Sequence, residues 1–193
     1  MPEAAIAGYN YGSAEASPVT MEDLALLRAS VLFGDEDEAA LREAGTILSG
    51  QVEQVLDVWY GFVGDNPQLL AHFSTLDGAP IGDYLAGVRG RFGQWIRDTC
   101  ERPYDQAWLA YQHEMALRHT PDRKNRTEGV SSTSHVPLRY LIALLYPITA
   151  TIRPFLANDG VPPERVEAMH EAWRKSVIMQ IALWSRAYAP DLW

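Results

Sequence analysis

Apolar residues recur at helical spacing through almost all of the 193-residue chain. Positions three and four apart share one face of a helix, so each such run predicts an amphipathic helix with that face turned inward. Thr20-Met21-Glu22-Asp23 is a cap-and-acid start, and Leu24, Leu27, Val31 and Leu32 carry the helix it opens to about Phe33. A second helix is expected over Asp35 to Ser49, with Leu41, Ala44, Ile47 and Leu48 facing in. Val52, Val55, Leu56, Trp59, Tyr60 and Val63 mark a third, ended by Gly64-Asp65-Asn66-Pro67. A short helix, Gln68 to Phe73, leads into the turn Asp77-Gly78-Ala79-Pro80.

Tyr84, Leu85, Val88, Phe92, Trp95, Ile96 and Thr99 give a long helix. Pro103 starts the next, which runs through Trp108, Tyr111 and Met115 to His119. Thr120-Pro121 stops it, because the residue before a proline disfavours the α region. Asp122 to Ser134 is polar and reads as a loop. Pro137 opens one helix of Tyr140, Leu141, Leu144, Ile148, Ile152 and Phe155, closed by Gly160. Pro162-Pro163-Glu164 starts the last, carrying Val166, Met169, Trp173, Val177, Ile181 and Trp184. About eight helices result, and no segment alternates with period two as a strand would. The fold class is all-α. Without internal repeat or Ser/Gly linker, residues 1–193 read as a single domain.

Charge narrows the partners. A formal net charge of −9 repels phosphate backbones and anionic lipid, so neither nucleic acid nor a membrane surface is expected as a partner. The one short basic run, Arg123-Lys124-Asn125-Arg126, reads as a solvated loop. The longest apolar stretch, Leu141 to Tyr146, is too short to span a bilayer. The first 17 residues hold no Lys or Arg and no long apolar run, unlike a secretory signal. A lone cysteine, Cys100, permits no internal disulfide and suits a reducing cytoplasm. It reads as a small buried hydrophobe, not a nucleophile.

Of the five histidines, His119 stands out because it ends the apolar stripe of its helix. Two readings are open: an imidazole capping the negative end of the helix dipole, or a ligand. His113 lies off that stripe. Trp59 and Tyr60 read as core aromatics, or as the wall of a site in which the tyrosine hydroxyl meets a bound polar ligand. Residues 1–20 lack helical period, yet Gly8-Tyr9-Asn10-Tyr11-Gly12 carries two tyrosines, so this arm is expected to pack on the body.

Several blocks, in order along nearly the whole chain, resemble the protoglobins. They are Gly8-Tyr9-Asn10-Tyr11-Gly12, Trp59-Tyr60-Gly61-Phe62-Val63-Gly64, Tyr104-Asp105-Gln106-Ala107-Trp108-Leu109 and Leu117-Arg118-His119. Tyr140-Leu141-Ile142-Ala143, Tyr146-Pro147-Ile148-Thr149-Ala150-Thr151 and Pro154-Phe155-Leu156-Ala157 complete the set.

The resemblance implies a globin fold with an extra N-terminal helix and an N-terminal arm that buries a haem. It matches His119 to the iron ligand; Trp59, Tyr60 and Phe92 to the distal pocket; Leu141, Leu144 and Ile148 to its other wall; and Arg91 to the region of the propionates. It departs from the family at Thr120 and at Leu144, where phenylalanine is common, which would widen the pocket. Val88 stands near the place of the distal histidine of ordinary globins, leaving Tyr60 as the polar group over the iron. No Cys-x-x-Cys-His pattern is present, so the cofactor expected is haem b held non-covalently.

The implied function is reversible binding of O2, CO or NO, as carrier, scavenger or stand-alone sensor. The alternative is haem catalysis on peroxide or nitrogen oxides, or carbene transfer. No transmitter or cyclase segment lies within the sequence, so a fused sensor output is not expected. A homodimer through the last two long helices is also implied, with Trp173 and Trp184 as candidates for the apolar surface it would cover.

Overall fold

The computed structural model describes residues 6–157 and 160–193; residues 1–5 of the arm lie outside the described residues. The chain folds as helices α1 (Met21–Ser30), α2 (Asp35–Leu48), α3 (Val52–Gly64), α4 (Pro67–Leu70), α5 (Gly82–Glu101), α6 (Gln106–Leu117), α7 (Leu138–Ala143), α8 (Leu145–Leu156) and α9 (Pro163–Ser185). A 3₁₀ turn, Ala71–Phe73, extends α4, and another closes the chain at Pro190–Leu192. Among the described residues there is no strand, only two isolated bridges, Ser74 to Pro80 and Thr75 to Ser132. No described helix is long and apolar enough to cross a membrane.

Helix α9 is the axis of the packing. It lies against α2, α8 and α6, while α5 packs on α2 and α3. Its inward face, from Val166 to Trp184, joins one buried cluster that begins at Val19 and includes Trp95, Trp108, Leu109 and Trp173. A smaller cluster of Trp59, Val63 and Leu69 lies beside it, with Tyr60, Phe73, Phe92, Tyr140, Leu144 and Ile148 packed around. This second cluster leaves space where the first is filled, and the site forms there.

The ends of several elements differ from the periodic reading for identifiable reasons. Helix α1 stops at Ser30, not Phe33. Phe33 N–H donates to the Arg28 carbonyl (2.8 Å) and Leu32 N–H to that of Ala29 (3.2 Å), a Schellman closure. It puts Leu32 at φ 55°, a left-handed position that glycine normally fills. Leu32 is 80% exposed, so its side chain returns little packing. Leu32→Gly is therefore expected to stabilise the fold by about 1 kcal/mol, read as a raised urea midpoint; a lowered midpoint would contradict this.

The single helix expected over Tyr140–Phe155 is two, broken at Leu144. Pro147 has no N–H to give the Ala143 carbonyl, so the ladder is interrupted there. Helix α6 begins later than Pro103, where the Asp105 carboxylate accepts from Trp108 N–H (2.9 Å). It also ends earlier, leaving His119 just past the last turn.

The arm packs as its tyrosines suggested. Tyr9 donates its hydroxyl to Asp98 (2.7 Å), both Tyr9 and Tyr11 lie against the Tyr111 ring, and Arg102 sits 4.4 Å over Tyr11. These contacts tie residues 9 and 11 to α5 and α6. Two other sequence readings are corrected. Trp173 is fully buried and Trp184 only 8% exposed, because both belong to the inward face of α9; neither offers surface to a partner. In the loop after α6, Lys124 is only 4% exposed, so the basic run is not a uniformly solvated one.

Candidate functional site

A cleft of about 1300 Å3, mouth included, opens between α3, α5, α9, the end of α6 and the α7–α8 corner. Its wall is mostly apolar: Trp59, Val63, Leu69, Phe73, Val88, Phe92, Trp95, Met115, Val136, Leu141, Leu144, Ile148, Val177, Ile181 and Trp184 all line it. Large apolar cavities with a few placed polar groups are the usual form of a cofactor site. All eight residues singled out from the sequence, His119, Arg91, Trp59, Tyr60, Phe92, Leu141, Leu144 and Ile148, line this one cleft.

His119 is held in a defined pose. The chain turns after α6 with His119 N–H donating to the Ala116 carbonyl (3.0 Å) and Thr120 N–H to that of Leu117 (3.1 Å). The ring stacks on Trp184, with centroids 5.0 Å apart and planes 22° apart. Nδ1 lies 2.7 Å from the Met115 carbonyl oxygen, which can only accept, so Nδ1 carries the proton. Nε2 is left with its lone pair and makes no hydrogen bond among the described residues. Burial lowers the pKa of the ring, with Lys124 and Arg118 adding to the effect against the Met115 hydrogen bond, so the imidazole is neutral. The capping and ligand readings therefore coexist: one nitrogen satisfies a helix carbonyl, and the other is free to ligate.

The opposite wall comes from α3 and α5. Trp59 packs edge-on against Phe92, 5.6 Å between centroids, and Phe92 stacks on Trp95 at 5.3 Å. Tyr60 reaches the same cavity, with Arg89 5.7 Å from its ring centroid. Its hydroxyl finds no hydrogen-bond partner among the described residues. Burial raises its pKa, so it stays a neutral donor at any ordinary pH.

One end of the cleft is polar. Arg91, 9% exposed, pairs with Glu128 and donates to the Ala7 carbonyl (2.9 Å), tying the arm to α5. Gly8 crosses there at φ 74°; a Cβ on it would come within 2.5 Å of Thr127 Cγ2 and 2.9 Å of Arg91 Nη1, so only glycine passes. Arg118, Lys124, Thr127 and His72 complete this end. His72 was not singled out from the sequence. Its Nδ1 meets Thr133 Oγ1 at 2.8 Å, and its Nε2 is buried without a partner.

The donor set suits a metal already held by a chelate. Among the described residues no three His, Cys, Asp or Glu side chains gather to hold a bare ion. One neutral imidazole with a free Nε2, set in an apolar slot with cations at one end, matches a planar, apolar, acid-bearing metal chelate instead. Haem has those properties, and the residues present fit it. Cys100 is buried in the core, its thiol pushed up to about 12, and so is inert at neutral pH.

The protein family described as Protoglobin matches the chain over residues 20–193. No curated protein matches it.

Proposed function

The chain belongs to the protoglobin family, and from that premise we propose that it holds a haem b non-covalently through His119 and binds a diatomic gas, O2, CO or NO, beside Tyr60. Membership implies haem-based gas binding or sensing. The observation that supports His119 is its fixed tautomer: Nδ1 spent on the Met115 carbonyl, Nε2 unspent on the cavity wall. A partner on the second nitrogen is how ligating histidines are oriented. Bound haem supplies an iron able to take a diatomic ligand. The residues decide how that ligand is received.

Trp59, Phe92, Leu144 and Ile148 exclude water from the gas side. Tyr60 places a neutral hydroxyl with no protein partner in the same space. Trp59 and Tyr60 are neighbours on α3, so their side chains diverge by about 100° and one of the pair must flank the other. We assign the hydrogen bond to Tyr60 and the flanking position to Trp59. Tyr60→Phe keeps the ring and removes the donor. A net hydrogen bond of about 0.5–1.5 kcal/mol implies O2 release faster by up to about tenfold, with CO, which carries less charge, affected less. Stopped-flow and flash-photolysis rates measure this; equal changes for both gases would make Tyr60 a packing residue.

The homodimer is proposed on residues other than Trp173 and Trp184. Tyr146 is 81% exposed, Ile142 53% and Ile178 38%, on α8, α7 and α9 respectively. A self-complementary face on these helices would form a C2 pair. Light scattering at micromolar concentration is expected to give twice the chain mass, and Ile178→Arg to return it to one. A native monomer under those conditions would contradict the assignment.

A further inference from the structure

The polar end of the cleft carries charge that the described residues do not balance. Three cations, Arg91, Arg118 and Lys124, line the wall with one carboxylate, Glu128. This excess stands out in a chain of net charge −9. Arg91 is answered by Glu128. Arg118 is answered in part: Nε donates to Glu114 (2.7 Å) and Nη2 to Asn10 Oδ1 (3.2 Å), but Nη1 is buried without a partner. Glu114 also pairs with Arg123, which Glu15 answers in turn, so what Arg118 lacks is a partner for Nη1 and not a carboxylate.

Lys124 is the sharper case. No carboxylate among the described residues lies within ion-pair range of it. Its Nζ donates to the His72 carbonyl (3.0 Å) and to Asn125 Oδ1 (3.3 Å), both neutral, and sits 5.4 Å from the Tyr84 ring centroid. An ammonium has three donors, so one remains. The loop is shaped to keep it inward. Lys124 N–H donates to the Thr120 carbonyl (3.1 Å), Asn125 Nδ2 to the Ser132 carbonyl (3.0 Å), and Ser132 Oγ to the His72 carbonyl (3.1 Å). Burying an ammonium without a counter-charge is costly, and such groups are found paired. Burial pulls the Lys124 pKa down to about 8 even though Glu128 at longer range works against it, a cost that an anion in direct contact would relieve.

We infer that Lys124, with the free Nη1 of Arg118, receives a carboxylate of the cofactor, so that the acid-bearing edge of the porphyrin lies at the Lys124 end of the cleft. The inference rests on the haem reading above. Haem carries two propionates, and Lys124 is the one cation of this wall that no carboxylate among the described residues answers. It also gives Arg91 a different task, which is to hold the arm through Ala7 while Glu128 absorbs its charge.

The test is haem release to an excess of a haem-scavenging apoprotein. The native chain and Lys124→Met are each loaded with haem and with its dimethyl ester, in which the propionates are uncharged. Methionine keeps the apolar stem. Charged hydrogen bonds of the usual strength predict that Lys124→Met releases haem about tenfold to a hundredfold faster. Release of the dimethyl ester should change by less than about twofold, which also shows the variant to be folded. Equal acceleration for both porphyrins, or none for haem, would overturn the inference and leave Lys124 a structural residue. A native chain that takes up neither porphyrin would overturn the haem reading itself, and this inference with it.

Discussion

His119→Ala is expected to remove native haem binding, weakening it by at least about a hundredfold and abolishing the native visible spectrum. Loss of a single outer partner of a ligating histidine already costs about tenfold to a hundredfold in metal affinity, and here the ligand itself goes. The effect is separable from misfolding. His119 lies past the end of α6, outside the helix ladder, and its ring contacts are the Met115 carbonyl and the Trp184 face. The truncated side chain leaves a slot beside Trp184 that free imidazole can enter. Added imidazole should therefore restore much of the spectrum, which no repair of a folding defect would do. A His119→Ala protein with native spectrum and affinity would contradict the ligand assignment.

The second large effect concerns acid. His72 is 8% exposed, and its pKa falls from 6.5 to about 4, through burial first and then the nearby positive charges of Lys124 and Arg139. The unfolded chain binds that proton near pH 6.5 and the folded chain only near pH 4. Between those values the unfolded state holds more protons, so stability present above pH 6.5 drains away as pH falls toward 4. For a shift of this size the loss approaches about 3 kcal/mol. Burial lowers His119 and His113 as well, with the same sign. Urea unfolding of the native chain and of His72→Gln at pH 7, 5.5 and 4 isolates the His72 share. The variant should lose markedly less stability over this range; identical slopes would show that His72 is not the group responsible.

What could be read from the sequence follows from what periodicity senses. Helices α3 and α5 carry their inward residues at three- and four-residue spacing, so the spacing alone sets Trp59, Tyr60 and Phe92 among the inward positions of their helices. His119 was visible because it extends such a stripe. Lys124 and His72 were not. Both sit in short, irregular segments, where burial is decided by how the loop after α6 closes against Ser74–Pro80 and not by any repeat. In that setting a basic tetrapeptide looks solvated, although Lys124 faces in and its neighbour Arg126 faces out.

The break at Leu144 had a written signal in Pro147, which an apolar period masks. Trp173 and Trp184 looked like spare surface because α9 is apolar on more than one side. A helix packed against α2, α6 and α8 buries those sides internally.

The central claim is that His119 and the apolar cleft hold a haem that binds gas. An absorption spectrum of the purified protein, ferrous and then exposed to CO, tests this directly. An intense Soret band from a stoichiometric haem is expected, which sharpens and shifts when CO is added. A protein that shows no such band after incubation with haem, or a band that CO leaves unchanged, would contradict it.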